Sequence, residues 1–164
     1  MAATRTAAPA GAAPLVAVAI LSLAAVGAAL ISQHTFDMQP CPWCVLQRLI
    51  FVAIALVCIV GALIRSSGAR AGAGVLAALL ALCGVGAALW QHFQAAKSAS
   101  CKLTLADKIL NATTLPSVLP DVFEPRASCA DAAVSLLGVS YDLWSLALFV
   151  VIVLIASRAW RTRR

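Results

Sequence analysis

The sequence predicts an all-α integral membrane protein, a four-helix bundle with a long outer loop between spans three and four. Three observations carry that prediction. Hydrophobic side chains make up 63% of the 164 residues and charged ones 11%, whereas soluble domains average about 45–50% apolar and about 25% charged. Long apolar runs recur along the chain, and the charges sort to opposite ends of those runs. The whole chain, 1–164, therefore reads as one membrane domain.

The first run covers 14–31 and contains no charge. A signal peptide is the other reading, but the run exceeds an h-region of about 7–15 residues and no small-x-small site precedes Gln33. The first outer loop, 32–44, holds His34, Asp37, Cys41 and Cys44. The second span, 45–64, carries one charge, Arg48, in its first turn. After a basic connection at 65–71, the third span covers 72–93. The second outer loop, 94–140, holds Cys101 and Cys129. The last span, 141–160, reaches full length when its interfacial ends are counted. About 20 apolar residues cross a hydrocarbon core as a helix, and only a helix or a closed barrel satisfies its backbone there.

Within the second outer loop, Leu115, Val118, Leu119, Val122 and Phe123 follow the spacing of an amphipathic helix. Pro116 suits its first turn, and Pro120 is expected to weaken or kink it. A short helix on the membrane surface or a loop packed on the bundle ends both fit this pattern.

Orientation follows from charge. Arg5, Arg65, Arg70, Arg158, Arg161, Arg163 and Arg164 share one side, and Asp37, Asp107, Asp121, Glu124, Asp131 and Asp142 share the other. By the positive-inside rule, both termini and the 65–71 connection are cytoplasmic. Trp90, Trp144 and Trp160 fall at span ends, as an interfacial aromatic belt requires. Topology thus accounts for the net charge of +6 without nucleic acid as a partner.

This arrangement also sorts the six cysteines. Cys41, Cys44, Cys101 and Cys129 face outward, towards the compartment where disulfides persist. Cys58 and Cys83 lie inside spans and read as small packing residues. The Cys41-Pro42-Trp43-Cys44 pair has several possible uses. Zinc sites usually add a second close pair or histidines, and haem attachment needs a histidine where Val45 stands. No metal is expected. A structural disulfide and a redox pair both remain.

Position favours redox chemistry. Cys44 opens a membrane helix, where free amides and the dipole favour an anion. Arg48, four residues on, shares its helix face. A thiolate is the nucleophile in thiol chemistry, and a nearby cation favours it. An ionisable group in a span is a functional candidate, although Arg48 in a first turn also suits snorkelling to headgroups. His92, at the outer end of span three, is placed to hydrogen-bond a reduced carbonyl oxygen, and His34 reads as a plain loop residue.

Gln33-His34, Pro40-Cys41-Pro42-Trp43-Cys44, Gln47-Arg48, the Cys101 and Cys129 loop, Leu136-Leu137-Gly138 and Trp144 together resemble the bacterial disulfide bond formation protein B (DsbB) family. The resemblance covers about residues 30–150. It implies a four-helix membrane enzyme, a protein-disulfide:quinone oxidoreductase of the inner membrane. Such an enzyme reoxidises a periplasmic thioredoxin-like dithiol oxidase (DsbA) and passes electrons to a membrane quinone, ubiquinone or menaquinone. Its outer loops are then periplasmic. Carried over by position, Cys101 and Cys129 form the disulfide that accepts electrons, with Cys101 attacked by the partner. Cys41 and Cys44 are reduced by exchange, and Cys44 meets the quinone. Arg48 stabilises the charge there, and His92 matches a histidine near the quinone. Gln47 departs from the glutamate of the best-studied members.

Two other readings compete. A quinone reductase of the vitamin K epoxide reductase type is also a four-helix bundle, but its C-x-x-C lies late in the chain rather than opening span two. A non-enzymatic bundle with structural outer disulfides is the second, and the scarcity of polar residues inside the spans argues against a transport pathway.

Overall fold

The computed structural model describes residues 12–95, 104–136 and 138–161. Four of its helices are long and apolar enough to cross a membrane: α1 (Ala12–Phe36), α2 (Pro42–Leu63), α3 (Ser67–Phe93) and α7 (Tyr141–Arg161). The outer segment between α3 and α7 contains α4 (Leu105–Ala112), α5 (Leu115–Val118) and α6 (Pro120–Phe123). A two-residue antiparallel pair, β1 (Ser135–Leu136) and β2 (Val139–Ser140), precedes α7. The fold is an all-α membrane bundle with that one small hairpin added.

The helices outrun the apolar stretches because a helix continues through interfacial residues that hydropathy alone leaves out. α1 runs on through Gln33 and His34, and α3 begins at Ser67, before Arg70. Asp37 ends α1 in the left-handed region (φ 52°), which Asp tolerates better than most residues. Gly138 takes φ 80° in the β1–β2 turn, where a side chain would be strained.

The spans form a ring: α1 packs on α2 and α7, and α3 packs on the same two, while α1 and α3 scarcely meet. Small residues let the backbones approach, as expected where lipid gives helices no hydrophobic drive to associate. Gly61 faces Ala73, and Gly74 faces Ala159. Phe149 of α7 stacks on Phe51 of α2 with centroids 4.1 Å apart and fills the space beside Gly84 of α3. Outward-facing Ile20, Leu63 and Leu79 are exposed in the bundle taken alone, an apolar surface that lipid would cover.

The outer segment caps the amino end of α2. A capping box opens α4: the Asp107 N–H donates to Thr104 Oγ1 at 3.3 Å, and the Thr104 N–H donates to Asp107 Oδ2 at 2.8 Å. Two polar groups left over at a helix start are satisfied this way. Leu110 of α4 and Phe123 of α6 are buried on Val45 of α2. The stretch 115–123 forms two single helical turns, broken at Leu119 before Pro120, where the sequence placed its weak point. A proline disfavours the helical region for the residue before it, and Leu119 indeed leaves it (φ −132°, ψ 67°).

Candidate functional site

The site is built on the start of α2. Cys41 is the N-cap residue, and its Sγ accepts the Cys44 N–H at 3.2 Å. Pro42 follows at the first helical position, where its missing N–H costs nothing. The C-x-x-C spacing therefore places one sulfur as the helix cap and the other in the first turn. Cys41 is fully buried, whereas Cys44 is half-buried.

Cys129 joins them from the outer segment. The Arg126 and Ala127 N–H groups both donate to the Pro40 carbonyl, at 2.9 and 3.2 Å. Beyond them Ser128 Oγ accepts the Asp131 N–H at 3.1 Å and donates to Asp131 Oδ2 at 2.6 Å, closing a turn around Cys129. Cys129 then packs with Cys41, Trp43 and Ala106. The Cys41 thiol contacts both Cys129 and Cys44, and with its burial these neighbours push its ionisation upward. The same contact with Cys41 pulls Cys129 below the ordinary thiol value.

Arg48 is buried at the outer end of the bundle. Its Nη1 donates to Gln33 Oε1 at 2.7 Å and to the Val122 carbonyl at 3.2 Å, and its Nη2 donates to the Ala29 carbonyl at 3.3 Å. A buried guanidinium needs such partners. Its charge lies one helical turn from Cys44, although its hydrogen bonds go elsewhere. The hydrogen bond to the Cys44 sulfur comes from Gln91 of α3, whose Nε2 donates at 3.3 Å. Gln91 Oε1 in turn accepts from Gln47 Nε2 at 2.7 Å.

These groups border a cavity of about 730 Å³ at the outer end of the bundle. Ala25, Ala29, Phe51 and Leu148 form apolar wall, while Cys44 and Arg48 bring sulfur and charge to it. Its size falls in the range of about 300–1,000 Å³ that holds small molecules. His92 stands one residue back from the cavity: its Nδ1 pairs at 2.7 Å with Oδ2 of Asp142, and Asp142 lines the space. His34 is exposed at the end of α1. Cys101, the expected point of partner attack, lies outside the described residues. Cys58 is buried in the apolar core, and Cys83 is exposed on α3.

A family model for disulfide bond formation protein DsbB matches residues 12–159. The chain belongs to the disulfide bond formation protein B family. Its members include a relative from Herminiimonas arsenicoxydans, 39% identical over 141 residues, covering 85% of this chain and 89% of that protein. A relative from Ralstonia nicotianae is 36% identical, covering 84% of this chain and 86% of that one, and another from Aromatoleum aromaticum is 36% identical, covering 79% and 80%. All three carry the name disulfide bond formation protein B. Membership makes the chain a membrane oxidoreductase of disulfide bond formation.

Within this DsbB-family bundle, Gln91 escapes sequence reasoning, Asp142 enters it only through the charge pattern, and Gln33 only as part of a motif. The available signal was depth. Gln33, Gln91 and Asp142 sit at the outer ends of apolar runs, level with Arg48 and Cys44. Polar side chains buried there must find partners, and they find them in Arg48, Cys44 and His92 respectively.

Proposed function

We propose that the protein is a thiol oxidase, a protein-disulfide:quinone oxidoreductase. It reoxidises a periplasmic thioredoxin-fold dithiol oxidase of the DsbA type and passes the electrons to a quinone of the bacterial inner membrane, ubiquinone or menaquinone. The observation that carries this reading is the position of Cys41, in contact with Cys129 on one side and Cys44 on the other, with Cys44 bordering an apolar cavity.

The chain's residues then work in order. A partner thiolate attacks Cys101 of a Cys101–Cys129 disulfide, releasing Cys129 as thiolate. The partner's second thiol resolves the mixed disulfide, so the partner leaves oxidised with both loop cysteines reduced. The Cys129 thiolate next attacks the Cys41 sulfur of a Cys41–Cys44 disulfide and displaces Cys44. Exchange by thiolate attack favours a leaving sulfur that is stable as an anion, and Cys44 leaves into the amino end of α2, one turn from Arg48. Cys101 then attacks Cys129, freeing Cys41 as a thiol and restoring the loop disulfide.

The cavity fits a quinone headgroup in volume and lining, with Arg48 and Cys44 as the residues that would hold it and His92 supporting it through Asp142. When bound, a quinone supplies an acceptor for two electrons and two protons, becoming a quinol as the Cys41–Cys44 disulfide reforms. Phe51 and Leu148 give a lipid-soluble molecule an apolar setting in that cavity.

Turnover tests this. Purified protein supplied with quinone and a reduced thioredoxin-fold dithiol oxidase should reduce the quinone catalytically, and Cys44→Ala should abolish that turnover. Full activity in Cys44→Ala would remove the oxidase reading.

A further inference from the structure

We infer that Gln91 is a further catalytic residue, donating its side-chain N–H to the Cys44 sulfur, and that Gln47 is the positioning residue that decides which end of the Gln91 amide faces that sulfur. The inference rests on the proposed role of Cys44 as electron donor. A primary amide has an acceptor end and a donor end. Gln47 Nε2 occupies the Gln91 carbonyl at 2.7 Å, so the Gln91 NH₂ is left to meet the sulfur at 3.3 Å. Both glutamines are buried, at 3% and 5% exposure, which holds the chain of donors in one sense. A thiolate accepts hydrogen bonds and cannot donate them. The pair is therefore matched to the anionic form of Cys44.

Of the other groups beside Cys44, the Cys41 thiol is shared with Cys129. The Cys44 N–H is spent on Cys41 Sγ, and the Arg48 hydrogen bonds run to Gln33, Ala29 and Val122. The charged and titratable groups around Cys44 are Asp37 after α1, Cys41 as the α2 N-cap, Arg48 of α2, Arg126, Cys129 and Asp131 of the outer segment, and Tyr141 and Asp142 of α7. From α3 the neighbour is Gln91, a neutral donor. It supports a negative sulfur without adding a second charge to a poorly hydrated site, where an unpaired charge is costly.

The test reads Cys44 alone. Reduced full-length protein in detergent, free of quinone and partner, is treated with iodoacetamide across pH, and modification of Cys44 is followed by peptide mass spectrometry. Gln91→Leu should slow Cys44 modification at neutral pH by about tenfold, as expected for a lost hydrogen bond to a charged group. The rates should converge in alkali, where the thiol ionises unaided. The near-isosteric Gln47→Glu should slow Cys44 with the same convergence. Its carboxylate accepts from Gln91 Nε2, turning the Gln91 carbonyl towards the sulfur. In a Gln91→Leu background Gln47→Glu should add only the repulsion of its carboxylate, a smaller slowing than it causes beside Gln91. Unchanged profiles in Gln91→Leu and Gln47→Glu, or a slowing that persists in alkali, would overturn the inference. Failure of the oxidase reading shows separately, as turnover persisting in Cys44→Ala.

Discussion

Arg48 is bound by oxygens from two different parts of the molecule, Gln33 and Ala29 of α1 and Val122 of α6. It ties the first span to the outer segment while bringing its charge to the cavity that Cys44 borders. We therefore expect Arg48→Ala to raise the apparent KM for quinone by about tenfold or more, the scale of a lost charge-assisted hydrogen bond. Steady-state rates across quinone concentration measure it, and unchanged kinetics would reduce Arg48 to a structural tie. The placement of Arg48 one turn after Cys44 was legible in the sequence. Its partners were not. Ala29 and Val122 contribute backbone carbonyls, which carry no residue-type signal, and the Gln33 side chain meets Arg48 through the fold. Likewise the cysteines could be sorted to one face from topology. The seating of Cys41 between Cys44 and Cys129 depends on the two amides that bind the Pro40 carbonyl, an interaction that no spacing encodes.

Among the elements, the four spans were legible because their signal is long and redundant, whereas their ends drifted where polar interfacial residues continue a helix. The outer segment was harder. The spacing from Leu115 to Phe123 left a surface helix and a packed loop both open, and the expected weakness at Pro120 is where the segment splits into two turns. Helix α4 was missed, although Thr104 and Asp107 are its capping box. At eight residues it draws its stability from packing on α2 more than from its own propensity. Packing between spans gives a sharper test. A Cβ at Gly84 would overlap the Phe149 ring, which is itself pinned by stacking on Phe51. Gly84→Ala should cost about 1–3 kcal/mol, the usual range for overpacking. Thermal unfolding in detergent should show a lowered midpoint, and an unchanged midpoint would mean the α3–α7 contact is looser than described.

For the whole molecule, one asymmetry organises everything else. Seven of the twelve Lys and Arg residues flank the span ends away from the cysteine motif in sequence, and all six acids lie on the side that holds it. Under the proposed orientation, that places the thiols at the periplasmic face while the cavity still opens among apolar helices. In the proposed function, electrons enter from a protein in water and leave to a molecule in lipid. The account stands on Cys44 as the sulfur through which they leave, and mixing fully reduced protein anaerobically with quinone, without any partner, tests this most directly. Quinone reduction is read by absorbance and the remaining thiols by alkylation and peptide mapping. The account predicts quinol formed as Cys41 and Cys44 are lost to alkylation together, with Cys58 and Cys83 labelled as before. Quinone left unreduced with Cys41 and Cys44 still free, or reduced just as fast by Cys44→Ala, would contradict it.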